Sequence, residues 1–148
     1  MKKTLAALAL LLLALAVPTV THAAPATAPA VPDIVTKGFD AYKKSSADAI
    51  DTWFLGSPME KDVQARVTVA GNLGNFEKVY GAYLGWELIK VVPITASTEI
   101  VYAVAKFEKG PLWIAFNCYK AADQWTLPSI RLNQSAENIL PQSILSGE

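Results

Sequence analysis

Histidine and cysteine each occur once in the 148 residues, as His22 and Cys118, and no twin arginine stands near the N-terminus. A lone thiol excludes an intramolecular disulfide, so stability has to come from a packed core. No apolar run is long enough to cross a bilayer. The longest, Leu5 to Val17, is about a dozen residues, against the roughly 20 that a spanning helix needs. Lys2 and Lys3 precede that run and the small residues Thr21, His22 and Ala23 follow it, which is the profile of a secretory signal peptide. Residues 1–23 are therefore predicted to be removed by cleavage near Ala23, leaving a periplasmic or secreted protein. The missing twin arginine favours the general secretory route. With no cysteine beside the cut there is no lipid attachment site, and no membrane anchor is expected.

Cleavage would also remove His22. A mature chain without imidazole excludes Ser-His-Asp and Cys-His nucleophilic catalysis and nearly every zinc site, so neither metal nor cofactor is expected. Losing Lys2 and Lys3 leaves 11 basic residues against 13 acidic ones, and a nucleic-acid partner, which demands a basic excess, is not expected. Cys118 reads first as a small buried apolar residue, second as one half of a disulfide across a dimer, and third as a reactive thiolate, for which no neighbouring base is visible. Gly71-Asn72-Leu73-Gly74 lacks the lysine, preceding strand and capped helix of a phosphate loop.

What is present divides the mature chain in two. Residues 24–32, an alternation of alanine and proline, read as an extended linker, and residues 33–148 read as a single α+β domain. Ile34, Val35, Phe39 and Tyr42 recur at helical spacing, Ser45 and Ser46 interrupt them, and Ala47, Ile50, Trp53 and Phe54 resume it as a second short helix ending near Gly56. Ser57-Pro58-Met59-Glu60 has the form of a capping box. The helix it predicts carries Val63, Val67, Ala70 and Leu73 and ends near Asn72 and Gly74. Beyond Tyr80, four runs rich in β-branched and aromatic residues, at about 83–92, 98–108, 112–120 and 125–133, are separated by Pro93, Lys109-Gly110-Pro111 and Ala122-Asp123-Gln124. Connections this short permit only antiparallel neighbours, which predicts N-terminal helices packed on a four-stranded antiparallel meander.

Guessing register from loop length puts Ile89, Val91, Val101, Ala103, Ala105, Phe107, Trp113, Ala115, Ile130 and Leu132 on the face that receives the helices. The other face receives Trp86, Leu88, Tyr102, Val104, Lys106, Ile114, Phe116, Cys118, Leu127 and Arg131, with no element left to cover it. A face so apolar calls for a second subunit or a ligand, and the expectation is a homodimer through the sheet. Candidate ligand- or partner-binding residues are Trp86, Glu87, Tyr102, Lys106, Phe116 and Arg131. Lys106 and Arg131 would hold an anionic group against Trp86 and Tyr102. Glu87, placed on the helix-facing side, is the one strand carboxylate well inside a run.

A resemblance can be added on particular residues. Gly38-Phe39 with Tyr42, Ala49-Ile50 with Trp53, Gly56-Ser57-Pro58, the run Tyr80 to Leu88, Tyr102, Glu108 to Leu112, Tyr119-Lys120, Trp125, Leu132-Asn133 and Ile139-Leu140-Pro141 resemble a group of uncharacterised exported bacterial proteins. Their superfamily is the nuclear-transport-factor-2-like, or cystatin-like, one. The resemblance implies a cone-shaped sheet wrapped on helices. It implies no single activity, because the superfamily includes isomerases, ligand binders and dimeric domains without known chemistry. The isomerase constellation, a carboxylate base facing a tyrosine and a second acid, does not map here residue by residue. The expectation is a non-catalytic exported domain binding a small apolar or anionic ligand or an envelope protein. The alternative is a metal-free isomerase or dehydratase using Glu87 as base with a tyrosine.

Overall fold

Residues 29–147 are described by the computed structural model of the chain. The predicted signal peptide and most of the alanine- and proline-rich segment read as a linker lie outside the described residues. Val31, at the end of that linker, already packs against the core.

Helix α1, Asp33–Tyr42, follows Pro32 and buries Val35, Gly38, Phe39 and Tyr42 on one stripe, the three- and four-residue spacing that a single helical face demands. Helix α2, Ser46–Phe54, is capped by Ser45, whose Oγ accepts the Asp48 N–H at 3.0 Å. Ala49, Ile50, Trp53 and Phe54 of α2 are buried. Ser57 caps only a single 3-10 turn, Pro58–Glu60, in which Glu60 accepts from the Gly56 N–H at 2.9 Å. The capping box therefore does not open the third helix. Asp62 does, accepting from the Ala65 N–H, and α3 runs from Val63 to Tyr80. It passes through Gly71 and Gly74 and stops at Gly81, whose φ of +86° is open to glycine at little cost. Its buried residues are Val69, Leu73 and Phe76, while Val63 and Val67 are exposed. Of the predicted stripe, Ala70 and Leu73 pack inward and Val63 and Val67 do not.

Four strands follow, β1 (Tyr83–Thr95), β2 (Thr98–Phe107), β3 (Gly110–Ala121) and β4 (Gln124–Asn133), paired antiparallel in the order β1-β2-β3-β4. The α+β meander is as predicted. Pro93 lies within β1, opposite Glu99, and is tolerated there because β1 is an edge strand. The β2–β3 hairpin closes with Phe107 opposite Gly110, a two-residue loop in place of the predicted Lys109-Gly110-Pro111. One residue of loop length exchanges the faces of β3. Leu112, Ile114, Phe116 and Cys118 therefore face the helices, and Trp113 and Ala115 face away. Register shifts on either side of Trp86, Glu87 and Leu88 turn Trp86 inward and place Ile89 on the outer side. Another shift, between Asn117 and Tyr119, brings Leu127 into the core.

The core between helices and sheet is aromatic. Phe39 stacks on Trp86 with centroids 4.4 Å apart and meets Trp53 and Phe116 edge-on at 5.2 and 5.5 Å. The Trp53 indole N–H donates to the Val35 carbonyl at 3.3 Å, anchoring α2 on α1. The outer sheet face is not left open either. Past β4 the chain turns through a 3-10 segment, Ala136–Asn138, and ends in a four-residue helix, α4, Gln142–Leu145. Ile139 and Leu140 of this segment are buried in a second cluster with Tyr102 and Ala115, flanked by Ile89, Val92, Ile100 and Trp113. The expectation of an uncovered outer face is corrected by this C-terminal segment.

A Cβ on Gly38 would be driven into the Trp53 indole, a buried group with nowhere to go. Gly38→Ala is expected to cost about 1–3 kcal/mol or more despite its better helix propensity, read as a lower urea midpoint with unchanged slope.

Candidate functional site

The six residues singled out in the sequence do not form one site. Trp86 and Phe116 belong to the aromatic core on the helix side, and Phe116 is fully buried. Tyr102 is buried on the opposite side, under the C-terminal segment. Glu87 lies opposite Val104, on the outer side and not the helix-facing one, and its carboxylate accepts from the Lys106 ammonium at 2.6 Å. Both side chains of that pair are largely exposed. Arg131 is exposed, opposite Ala115. The sheet thus separates Trp86 from Lys106, Arg131 and Tyr102, and the anion clamp of cations over two aromatics does not assemble.

Among the described residues the one carboxylate hydrogen-bonded to a phenol is Glu77, near the end of α3. The Tyr42 hydroxyl donates to its Oε1 at 2.7 Å. Tyr83 lies against Tyr42, ring centroids 4.4 Å apart, and its buried hydroxyl has no partner among the described residues. Burial raises the pKa of both phenols, that of Tyr42 reinforced by the Glu77 hydrogen bond, that of Tyr83 pushed up to about 12 with Asp40 contributing. Both stay protonated, able to donate hydrogen bonds, throughout the physiological range. Around them an open cleft of about 540 Å³ is walled by Lys43, Lys44, Ser45 and Ser46. It can hold a small polar group by hydrogen bonding. The residues converge from α1, α2, α3 and β1, far apart in sequence, and no spacing motif pointed to them.

A second open cleft, about 420 Å³, lies between α3 and the ends of β3 and β4. It is lined by the carboxamides Asn72, Asn75, Asn133 and Gln134 and floored by Phe76, Leu112 and Leu132. The Tyr80 hydroxyl donates to Gln134 Oε1 at 2.9 Å, and its ring stacks on Phe76 at 4.0 Å.

Two more titratable groups are buried side by side. Glu99 and Cys118 are cross-strand partners on the helix side of the sheet. Glu99 Oε1 has no hydrogen-bond partner among the described residues, and burial raises its pKa. Burial and the nearby Glu99 push the Cys118 thiol up to about 12, which makes it a packing residue and not a nucleophile. No group of three or more metal-ligating side chains occurs among the described residues. No helix among them is long and apolar enough to cross a membrane.

No family model, curated protein or solved structure matches the chain.

Two pH dependences follow. Glu99 holds its proton more tightly folded than unfolded, so its burial costs stability above the raised pKa, and the cost vanishes below the ordinary value of 4.5. Glu99→Gln should therefore stabilise the protein at neutral pH by on the order of 1 kcal/mol, the difference closing as the pH falls below 4.5 in parallel denaturant titrations. The Tyr83 phenol has the same sign at the alkaline end. Its contribution is intact below pH 10 and lost as the pH rises through about 12, so tyrosinate absorbance should appear for this residue only near that upper value and together with unfolding.

Proposed function

We propose that the chain is an exported, non-catalytic binding domain that takes a small ligand or an envelope protein at its surface and not in an internal pocket. The observation that carries this reading is the filled interior. Between helices and sheet, where a buried acid–base pair would have to sit, Phe39, Trp53 and Phe116 are fully buried and Trp86 stacks on Phe39. Open space occurs instead at the two peripheral clefts. The cystatin-like cone belongs to the same proposal. Helices preceding a four-stranded meander support it, as do the register shifts of β1, since bulges bend and twist a strand.

Export, with cleavage near Ala23, rests on the charged and apolar N-terminal sequence. A homodimer through the sheet has less in its favour, because the apolar patch that called for it is occupied by Ile139 and Leu140. Pairing through sheet edges is opposed by Pro93 and the bulges of β1 and by Pro128 on β4. The isomerase or dehydratase alternative gains no support from Glu87, whose exposed ion pair with Lys106 lacks the burial that tunes a carboxylate base.

Glu87→Gln is expected to change stability by less than about 0.5 kcal/mol. Nuclear magnetic resonance mapping of a fragment collection tests the binding reading directly. Hits should move resonances around the peripheral clefts and leave those of Phe39, Trp53 and Phe116 in place. A compound that enters between helices and sheet and displaces the Phe39–Trp86 stack would overturn the reading.

A further inference from the structure

The cleft at the end of the sheet has a composition that defines its ligand. None of its lining residues carries a charge, yet four of them are carboxamides. Each carboxamide both donates and accepts, and it matches groups that do the same, hydroxyls and other amides. Two of the four are held in one orientation. Asn133 Oδ1 accepts from the Ser135 N–H at 2.9 Å and from Asn138 Nδ2 at 3.2 Å, and Gln134 Oε1 accepts from Tyr80. Their acceptor oxygens are thus engaged, and their NH2 groups remain as donors on the β4 side. Across the cleft, Asn72 and Asn75 stand three residues apart on α3, exposed and without a side-chain hydrogen bond in the described structure. Between the two walls lies the apolar floor.

We propose that this cleft binds a neutral saccharide, its hydroxyl or acetamido groups bonded to the four carboxamides and its C–H face laid on the apolar floor. The absence of lining charge disfavours phosphorylated or acidic ligands, whose desolvation nothing there would compensate. An extended peptide is disfavoured because it needs the length of a free strand edge, whereas β4 contributes only Leu132 and Asn133, at its end. The Tyr80 ring is engaged on Phe76, so hydrogen bonding and not aromatic stacking supplies the selectivity. The proposal rests on the surface-binding reading above and gives it a site and a ligand class.

The test is a titration of the isotope-labelled purified protein with the β-1,4-linked disaccharide of N-acetylglucosamine, with maltose, and with an N- and C-blocked trialanine. The side-chain NH2 resonances of Asn72, Asn75, Asn133 and Gln134 report the site. At least one disaccharide should shift them with a Kd of about a millimolar or below. Asn72→Ala/Asn75→Ala should weaken that binding at least about tenfold, the loss of one to two hydrogen bonds. Alanine is the better helix former, so the variant should melt no lower than the parent, and lost binding cannot be put down to lost folding. Three results would each overturn the proposal: no shift of these resonances by either sugar, an unchanged affinity in the variant, or a response to the blocked peptide alone. If the sugars fail while other compounds bind at the periphery, the saccharide site falls and the surface-binding reading stands.

Discussion

The contact on which the structure depends most is the seating of Trp53 against the bare backbone of Gly38. It lets α1 and α2 approach closely enough for the indole N–H to reach the Val35 carbonyl and for Phe39 to lie between Trp53, Trp86 and Phe116. Side chains from both helices and from β1 and β3 therefore meet in one edge-and-face cluster, a geometry that aromatic quadrupoles favour. The same cluster fills the space between the layers. The proposed surface-binding reading rests on that filling, since it leaves open clefts at the margins of the layers.

The polar chemistry is correspondingly pushed to the ends of the layers. At one corner, Tyr42, Tyr83 and Glu77 gather where α1, α3 and β1 meet, and burial holds both phenols protonated. Elsewhere Glu99 and Cys118 sit beneath the helices with raised pKa values. The amide cleft has no charge at all. Buried titratable groups here are spectators of packing. The proposed saccharide site draws instead on neutral groups whose hydrogen bonds are partly fixed and partly free.

Element type was largely legible from the residues. Helical spacing from Val35 to Phe54 and the β-branched runs after Tyr80 located two helices and four strands to within a few residues. Facing was not. A two-residue hairpin at Glu108-Lys109 in place of a three-residue one inverted β3, and bulges, which leave no mark in the hydrophobic alternation, turned Trp86 and Leu127 inward. Those parity errors grouped Phe116 with Arg131 and put Glu87 on the wrong side. The third helix showed the same limit, since its glycines read as a terminus although helix continuity is maintained through them to Tyr80. The carboxamide cleft was invisible for another reason. Asn72 and Asn75 lie about sixty residues from Asn133 and Gln134, and only the meander's return to the end of α3 brings them together.

The C-terminal segment carries a consequence in time as well as in space. A chain is synthesised from its N-terminus, so Ile139 and Leu140 emerge after all four strands. The sheet can close while Tyr102, Ala115 and Trp113 are still bare on its outer side. Until the segment docks, the folding domain displays an apolar patch that the finished one conceals, the kind of transient surface that draws chaperones or neighbouring chains. Concealment of that patch thus depends on a short segment, Ile139 and Leu140 with Ala136 and Ile144 packed beside them.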